Sequence, residues 1–126
     1  MRKIIIILGT LLTLAGAAWA ADSGIDMDLM QTIEDLNKSL SSNVALQDVA
    51  ASKADAQELH QLFTQVQAHY VEKGDAPDAV ELSTKSVDLT AAIITAVEAK
   101  DFASASESST ALSRTCRACH TFYKKS

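Results

Sequence analysis

The segment Cys116-Arg117-Ala118-Cys119-His120 ends six residues before the C-terminus and carries the most specific signal in the chain. Two cysteines at this spacing, followed at once by a histidine, form the pattern for covalent attachment of a c-type haem. On a helix, positions i and i+3 share a face, so both thiols can form thioether bonds with the vinyl groups of one porphyrin. We therefore expect Cys116 and Cys119 to hold one haem c, with His120 as the proximal iron ligand.

Other uses of these residues fit the sequence less well. A zinc site needs at least three protein ligands and usually four, and the chain has no further cysteine and no nearby second histidine. A thioredoxin-like redox pair is expected near a βαβ pattern, and no strand alternation flanks this one. A stabilising disulfide would close only a very short loop, where cross-linking removes little chain entropy.

The N-terminus has the three parts of a secretory signal peptide. Arg2 and Lys3 are basic, an apolar run follows from Ile4 to Ala17, and Ala18-Trp19-Ala20 supplies a small-x-small cleavage site. We expect residues 1–20 to be the signal peptide and residues 21–126 to form one haem-binding domain exported to the periplasm. The alternative is an uncleaved membrane anchor, for which the apolar run is slightly short.

The charge of the mature chain limits its partners. Cleavage removes 20 of the 126 residues and two of the 11 basic ones, so nine bases remain against 16 acids and the formal charge is −7. An acidic surface disfavours nucleic acid and anionic membranes as partners. We expect neither nucleic-acid binding nor stable membrane association.

The mature sequence predicts an all-α protein. Apolar residues recur at steps of three and four, and no segment alternates as a strand does. The predicted helices run from about Ile25 to Val44, from Ser52 to Lys73, from Pro77 to Ala99, and from near Asp101 onward. Four helices of similar length with short links predict an antiparallel four-helix bundle.

The same pattern assigns helix ends and inward faces. Ser52, Asp75 and Asp101 are expected to accept hydrogen bonds at helix starts, and Gly74 to end the second helix. The predicted inward residues are Leu29, Ile33, Leu36, Leu40 and Val44; Leu59, Leu62, Phe63, Val66 and Tyr70; Val80, Val87, Ala91 and Ile94, broadened by Leu89, Ile93 and Val97; and Phe102, Ala105, Leu112, Cys116, Cys119 and Tyr123. Both cysteines therefore face the core.

Signal peptide, helix pattern and C-terminal haem motif together resemble the cytochrome c-prime family, the class II c-type cytochromes. The run from Cys119 to Lys124 resembles that family's C-H-x-x-Y-R/K sequence, with lysine in the last position. The resemblance implies thioethers at Cys116 and Cys119 and iron ligation by His120. It also suggests a basic residue, Lys124 or Arg117, that tunes the proximal imidazole; the alternative is a solvated side chain.

In that family the first helix faces the sixth iron position. A methionine there makes a low-spin electron carrier, whereas a small or aliphatic residue leaves a high-spin site that binds nitric oxide or carbon monoxide. Met30 shares a stripe with Ile33 and Leu40, so we expect it to be the distal ligand. Met27, near the helix start, and His69, at the border of the second stripe, are the alternatives. His60 lies off the stripe and is expected to be exposed.

No nucleophile–base pair, phosphate loop or inward pair of carboxylates appears in the sequence, so we expect no enzymatic activity. Two functions remain: an electron carrier that serves redox partner proteins, and a gas-binding protein. The acids Glu34, Asp35, Asp48 and Asp55 are interpreted as a solvated face or, at most, as a docking patch for a basic partner. Whether the protein forms a homodimer stays open.

Overall fold

Four helices form an antiparallel bundle in the computed structural model, which describes the backbone of residues 25–123 and the side chains of residues 25–119. The helices are α1 (Met27–Ala45), α2 (Val49–Lys73), α3 (Pro77–Glu98) and α4 (Phe102–Tyr123). Each packs against its neighbours in chain order, and α4 closes the bundle against α1. The predicted all-α four-helix fold is confirmed. The signal-peptide prediction concerns residues 1–20, which lie outside the described residues.

The α1–α2 and α3–α4 loops have the same construction. In each, a residue with a φ of 57°, Gln47 or Lys100, turns the chain out of the preceding helix. The aspartate that follows caps the next helix: Asp48 Oδ1 accepts from Ala51 N over 3.0 Å, and Asp101 Oδ1 accepts from Ser104 N over 3.1 Å. The predicted cap at Asp101 is confirmed. The predicted cap at Ser52 is wrong, because α2 begins one turn earlier and buries that residue.

The α2–α3 loop lies at the opposite end of the bundle. Gly74 ends α2 with a φ of 76°, in the left-handed region that favours glycine, and Pro77 begins α3 as the sequence predicts. Asp75 does not cap α3, since Ala76 occupies the cap position and makes no side-chain hydrogen bond. Asp75 instead lies 3.8 Å from the Lys73 ammonium.

The inward stripes of α1, α2 and α4 are close to those predicted, apart from Tyr123, whose side chain lies outside the described residues, but that of α3 is shifted. Its buried residues are Ala79, Ser83, Ser86, Thr90, Ile93 and Val97. Val80, Val87 and Ile94 lie at the border of the stripe, and Ala91 is exposed, contrary to the prediction. Hydroxyl groups can face this core because they bond their own helix: Ser83 Oγ donates to Ala79 O, and Thr90 Oγ1 donates to Ser86 O.

The large apolar side chains that have no exposed surface lie in one half of the bundle. We call the half nearest the α1–α2 and α3–α4 loops the closed half. Its centre is made of side chains that are 0% exposed: Leu40, Leu59, Ile93, Val97 and Leu112. We call the other half, which contains the start of α1 and the end of α4, the open half. None of the described helices is long and apolar enough to cross a membrane.

Candidate functional site

A cavity of about 610 Å³ occupies the open half, which is within the range of sites for small molecules and cofactors. All four helices contribute to its wall. The lining residues are Met30, Ile33, Glu34, Asn37, Lys38 and Ser41 of α1; Phe63 and Val66 of α2; Leu82, Ser83 and Ser86 of α3; and Ser113, Cys116, Arg117 and Cys119 of α4. The predicted residues Met30, Cys116 and Cys119 therefore line one cavity.

Cys116 and Cys119 are partly buried free thiols that are not at disulfide distance from each other. Burial raises the pKa of the Cys116 thiol to about 11, and the charge of Cys119 adds to this effect. Burial also raises the pKa of Cys119. A reactive redox pair needs a thiol with a lowered pKa, so these thiols lack the electrostatic character of a thioredoxin-type site.

Two polar contacts set the register between α1 and α4. Asn37 Nδ2 donates to Ser113 Oγ over 3.0 Å, and the hydroxyls of Ser41 and Ser109 lie 3.2 Å apart. A step of four residues forward along α1 thus matches a step of four back along α4. The rise per residue is the same in both helices.

The same register can be followed towards the open half. Seven residues before Asn37 on α1 is Met30, and seven residues after Ser113 on α4 is His120. The two positions therefore lie at about the same level along the bundle. The backbone of His120 belongs to the last turns of α4, and its side chain lies outside the described part of the structure. Met30 is partly buried and packs against the core.

The charged and amide side chains in the cavity wall lie on α1 and α4. Lys38 Nζ forms an ion pair with Glu34 over 2.8 Å, and Arg117 faces them from α4. Asn37 Oδ1 is buried without a hydrogen-bond partner, which is costly for an acceptor. Such an acceptor fits a wall that a group from outside the chain completes. Lys124, the other basic residue proposed to tune the imidazole, lies outside the described residues.

The alternative iron ligands do not line the cavity. Met27 is 84% exposed. His69 packs edge-on against Tyr70 at a ring distance of 5.2 Å. His60 is not exposed, contrary to the prediction: it is partly buried, and its Nδ1 lies 3.2 Å from Val87 O and 3.1 Å from Thr90 Oγ1. Bonding to α3 explains its burial.

The four acids of the possible docking patch all have local contacts. Glu34 pairs with Lys38, and Asp35 Oδ1 accepts from Gln31 Nε2 over 3.1 Å. Asp48 is the cap of α2, and Asp55 Oδ2 accepts from α1 through Ser39 Oγ at 2.7 Å and Asn43 Nδ2 at 2.8 Å. Each of the four acids therefore has a partner within the bundle.

The residues present fit a covalently held porphyrin. Two free thiols line a cavity whose wall includes Ile33, Phe63, Val66 and Leu82, and a thioether side chain on another helix lines it too. Among residues 25–119, no group of three or more histidine, cysteine, aspartate and glutamate side chains is placed to hold a metal ion without such a cofactor.

Sequence reasoning missed the small residues of the wall. Ser41, Ser83, Ser86 and Ser113 line the cavity, whereas only apolar positions were expected on the inward stripes. The signal was present in α3, where Ala79, Ser83, Ser86 and Thr90 repeat at steps of three and four. A stripe of small residues with helical spacing leaves space beside it that larger side chains would fill.

Comparison with known proteins returns no match to the chain among family models, curated proteins or solved structures.

Proposed function

We propose that the protein is a periplasmic mono-haem c-type cytochrome that carries electrons. In this proposal Cys116 and Cys119 would hold the haem through thioether bonds, and His120 and Met30 would be the protein ligands of its iron. The main support is that Met30, Cys116 and Cys119 line one cavity, and that the register of α1 against α4 brings the backbone of residue 120 to about the level of residue 30.

Each ligand has a separate task. The two cysteines fix one porphyrin edge to α4, so the cofactor cannot leave when its redox state changes. His120 gives an imidazole nitrogen, and the soft thioether of Met30 raises the reduction potential relative to a second histidine. The haem, when bound, supplies an iron that alternates between the ferrous and ferric states.

The cavity walls support the same proposal. Ile33, Phe63, Val66 and Leu82 line the cavity with apolar surface that would contact the porphyrin and exclude water from its iron. The small side chains of Ser83 and Ser86 would leave room for the porphyrin between these apolar residues. Burial of the porphyrin would fill the cavity of the open half with apolar contacts.

A filled sixth position favours electron transfer over gas binding. With Met30 on the iron, no coordination site is free for nitric oxide or carbon monoxide, and electron exchange through the haem edge remains. The gas-binding alternative requires that Met30 stay off the iron.

The intact mass of the protein purified from the periplasm tests attachment and export together. We expect the mass of residues 21–126 plus one haem, and we expect the colour to stay with the polypeptide in acid–acetone extraction. Cys116→Ser should abolish stable attachment, whereas Ala118→Ser, between the two cysteines, should retain it. A mass without haem contradicts the proposal, and a membrane-bound chain that begins at Met1 contradicts export.

A further inference from the structure

The proposed distal ligand lies in the first turn of its helix. α1 begins at Met27, and the backbone N–H of Met30 donates to Asp26 O over 3.2 Å. The first fully buried residue of α1 is Ile33, almost one turn later. Met30, which is only partly buried, therefore lies between the helix end and the first buried residue of α1. Helix ends fray because their first N–H groups lack partners within the helix.

One side chain opposes this fraying. Asp26 has extended backbone angles, φ −95° and ψ 172°, and its Oδ1 accepts from Leu29 N over 2.8 Å. This bond satisfies one of the free N–H groups of the first turn. Leu29 and Met30, which follow, both pack against the core. Asp26 does not line the cavity, so its effect on the iron passes through the helix turn.

We infer that Asp26 is the positioning residue for Met30, an inference that rests on the proposed function. The cap keeps residues 27–30 helical and holds the thioether in the cavity. When the first turn opens, the Met30 sulfur leaves the iron, and a small neutral ligand such as carbon monoxide can take its place. Asp26 thus sets how often the sixth position is accessible.

The chain contains a matched control for this inference. Asp48 caps α2 with the same hydrogen-bond pattern, its Oδ1 accepting from the N–H three residues on, Ala51 N, over 3.0 Å. It lies at the far end of the bundle, in the loop beside the closed half. Asp26→Ala and Asp48→Ala therefore remove equivalent hydrogen bonds, but only the first loosens the turn that carries Met30. Asp26→Asn removes the charge and keeps the cap, since asparagine and aspartate cap helices about equally well.

The experiment measures carbon monoxide binding to the reduced haem protein by stopped-flow absorbance, in the wild type and the three variants. If opening of the first turn limits binding, Asp26→Ala should accelerate it about fivefold, the factor that loss of a typical cap represents at 25 °C. Its ferric spectrum should show more high-spin iron. Asp26→Asn and Asp48→Ala should bind at the wild-type rate, although Asp48→Ala should unfold at a lower temperature.

Three results overturn the inference. The first is an unchanged binding rate in Asp26→Ala, and the second is equal acceleration in Asp26→Ala and Asp48→Ala. The third is acceleration in Asp26→Asn, which would assign the effect to charge. Failure of the proposed function looks different: the wild type itself would then be high-spin and would bind carbon monoxide rapidly, and all four proteins would behave alike.

Discussion

The two halves of the bundle differ in how closely their interiors are packed. In the closed half, leucine, isoleucine and valine side chains from all four helices meet with no exposed surface: Leu40, Leu59, Ile93, Val97 and Leu112. In the open half, the same helices surround a cavity of about 610 Å³ with serines, two cysteines and a methionine as well as apolar side chains such as Ile33, Phe63 and Val66. A protein interior is normally close-packed, so a cavity in one half only agrees with the proposal that this half holds a cofactor.

The largest effect is expected from a substitution that fills the cavity with a side chain of the protein itself. Ser83 is 3% exposed and lines the cavity from α3, so Ser83→Leu should occupy space that the haem needs. We expect most of the covalently bound haem to be lost, measured as the haem-to-protein ratio after purification. Ala91→Leu, at an exposed position on the same helix, should retain the full ratio. Normal haem content in Ser83→Leu would mean that the cofactor does not use this cavity.

The closed half should respond to a substitution through stability rather than through haem content. Leu59 is fully buried, and replacing such a leucine by alanine typically costs about 2–5 kcal/mol of unfolding free energy. We expect a loss of this size for Leu59→Ala in urea unfolding followed by circular dichroism, with an unchanged visible spectrum. Leu82→Ala, at a partly buried position in the cavity wall, should cost less and should alter the spectrum. The reverse pattern would remove the distinction between the two halves.

The fold was predictable because its signals are local. Most helix boundaries can be located from helical apolar spacing and from two local signals. These are Gly74 before Pro77, between α2 and α3, and Asp101 before α4. Ser52 was mistaken for a cap because Asp48, four residues earlier, competes with it as an N-cap residue. Hydrophobic patterning misplaced the α3 stripe, since it treats buried Ser83, Ser86 and Thr90 as surface residues. Their back-bonding within α3 becomes apparent only in three dimensions.

The candidate site was predictable in its chemistry but not in its shape. The motif from Cys116 to His120 predicts a covalently bound haem, and helical spacing predicts that Met30 faces the core. That Met30 and the cysteines line one cavity depends on the register of α1 against α4, which Asn37 and Ser113 set across 76 positions of sequence. No short-range pattern encodes such a contact.

In the chain that has not received haem, the reactivity of the buried thiols in the open half should depend on pH. In the Cys119→Ser variant only Cys116 reacts, and burial, the larger cause of its raised pKa, remains while the charge of Cys119 is removed. Alkylation by iodoacetamide at pH 8 should be slower than in the urea-unfolded chain, because the thiolate is the reactive form. The factor should be below the ~100 that the full rise of the pKa from 9.0 to about 11 represents. The rate should rise as the pH increases towards 11.

The same shift links folding to pH. The folded chain retains the Cys116 proton at a pH where the unfolded chain has lost it, so folding stability should fall as the pH rises from 9 to 11. Equal alkylation rates in the folded and unfolded chains at pH 8 would show that the thiol is not buried.

A smaller effect is expected at Ser52, a buried serine of the closed half. Ser52 is fully buried, and its Oγ makes no hydrogen bond in the described structure. Ser52→Ala removes an unpaired polar group and should raise the unfolding free energy by about 1 kcal/mol. Ser109→Ala, which loses the contact with Ser41, should lower it in the same urea titration. A clear loss of stability in Ser52→Ala would indicate a partner for the hydroxyl.

The central claim is that Met30 completes the iron site across the cavity from Cys116 and Cys119. The most direct test is the visible spectrum of the purified haem protein, reduced and oxidised, in the wild type, Met30→Ala and Met27→Ala. Our account predicts a low-spin wild type, an unchanged Met27→Ala, and a high-spin Met30→Ala that binds carbon monoxide rapidly. A high-spin wild type, or a Met30→Ala variant that stays low-spin, would contradict it.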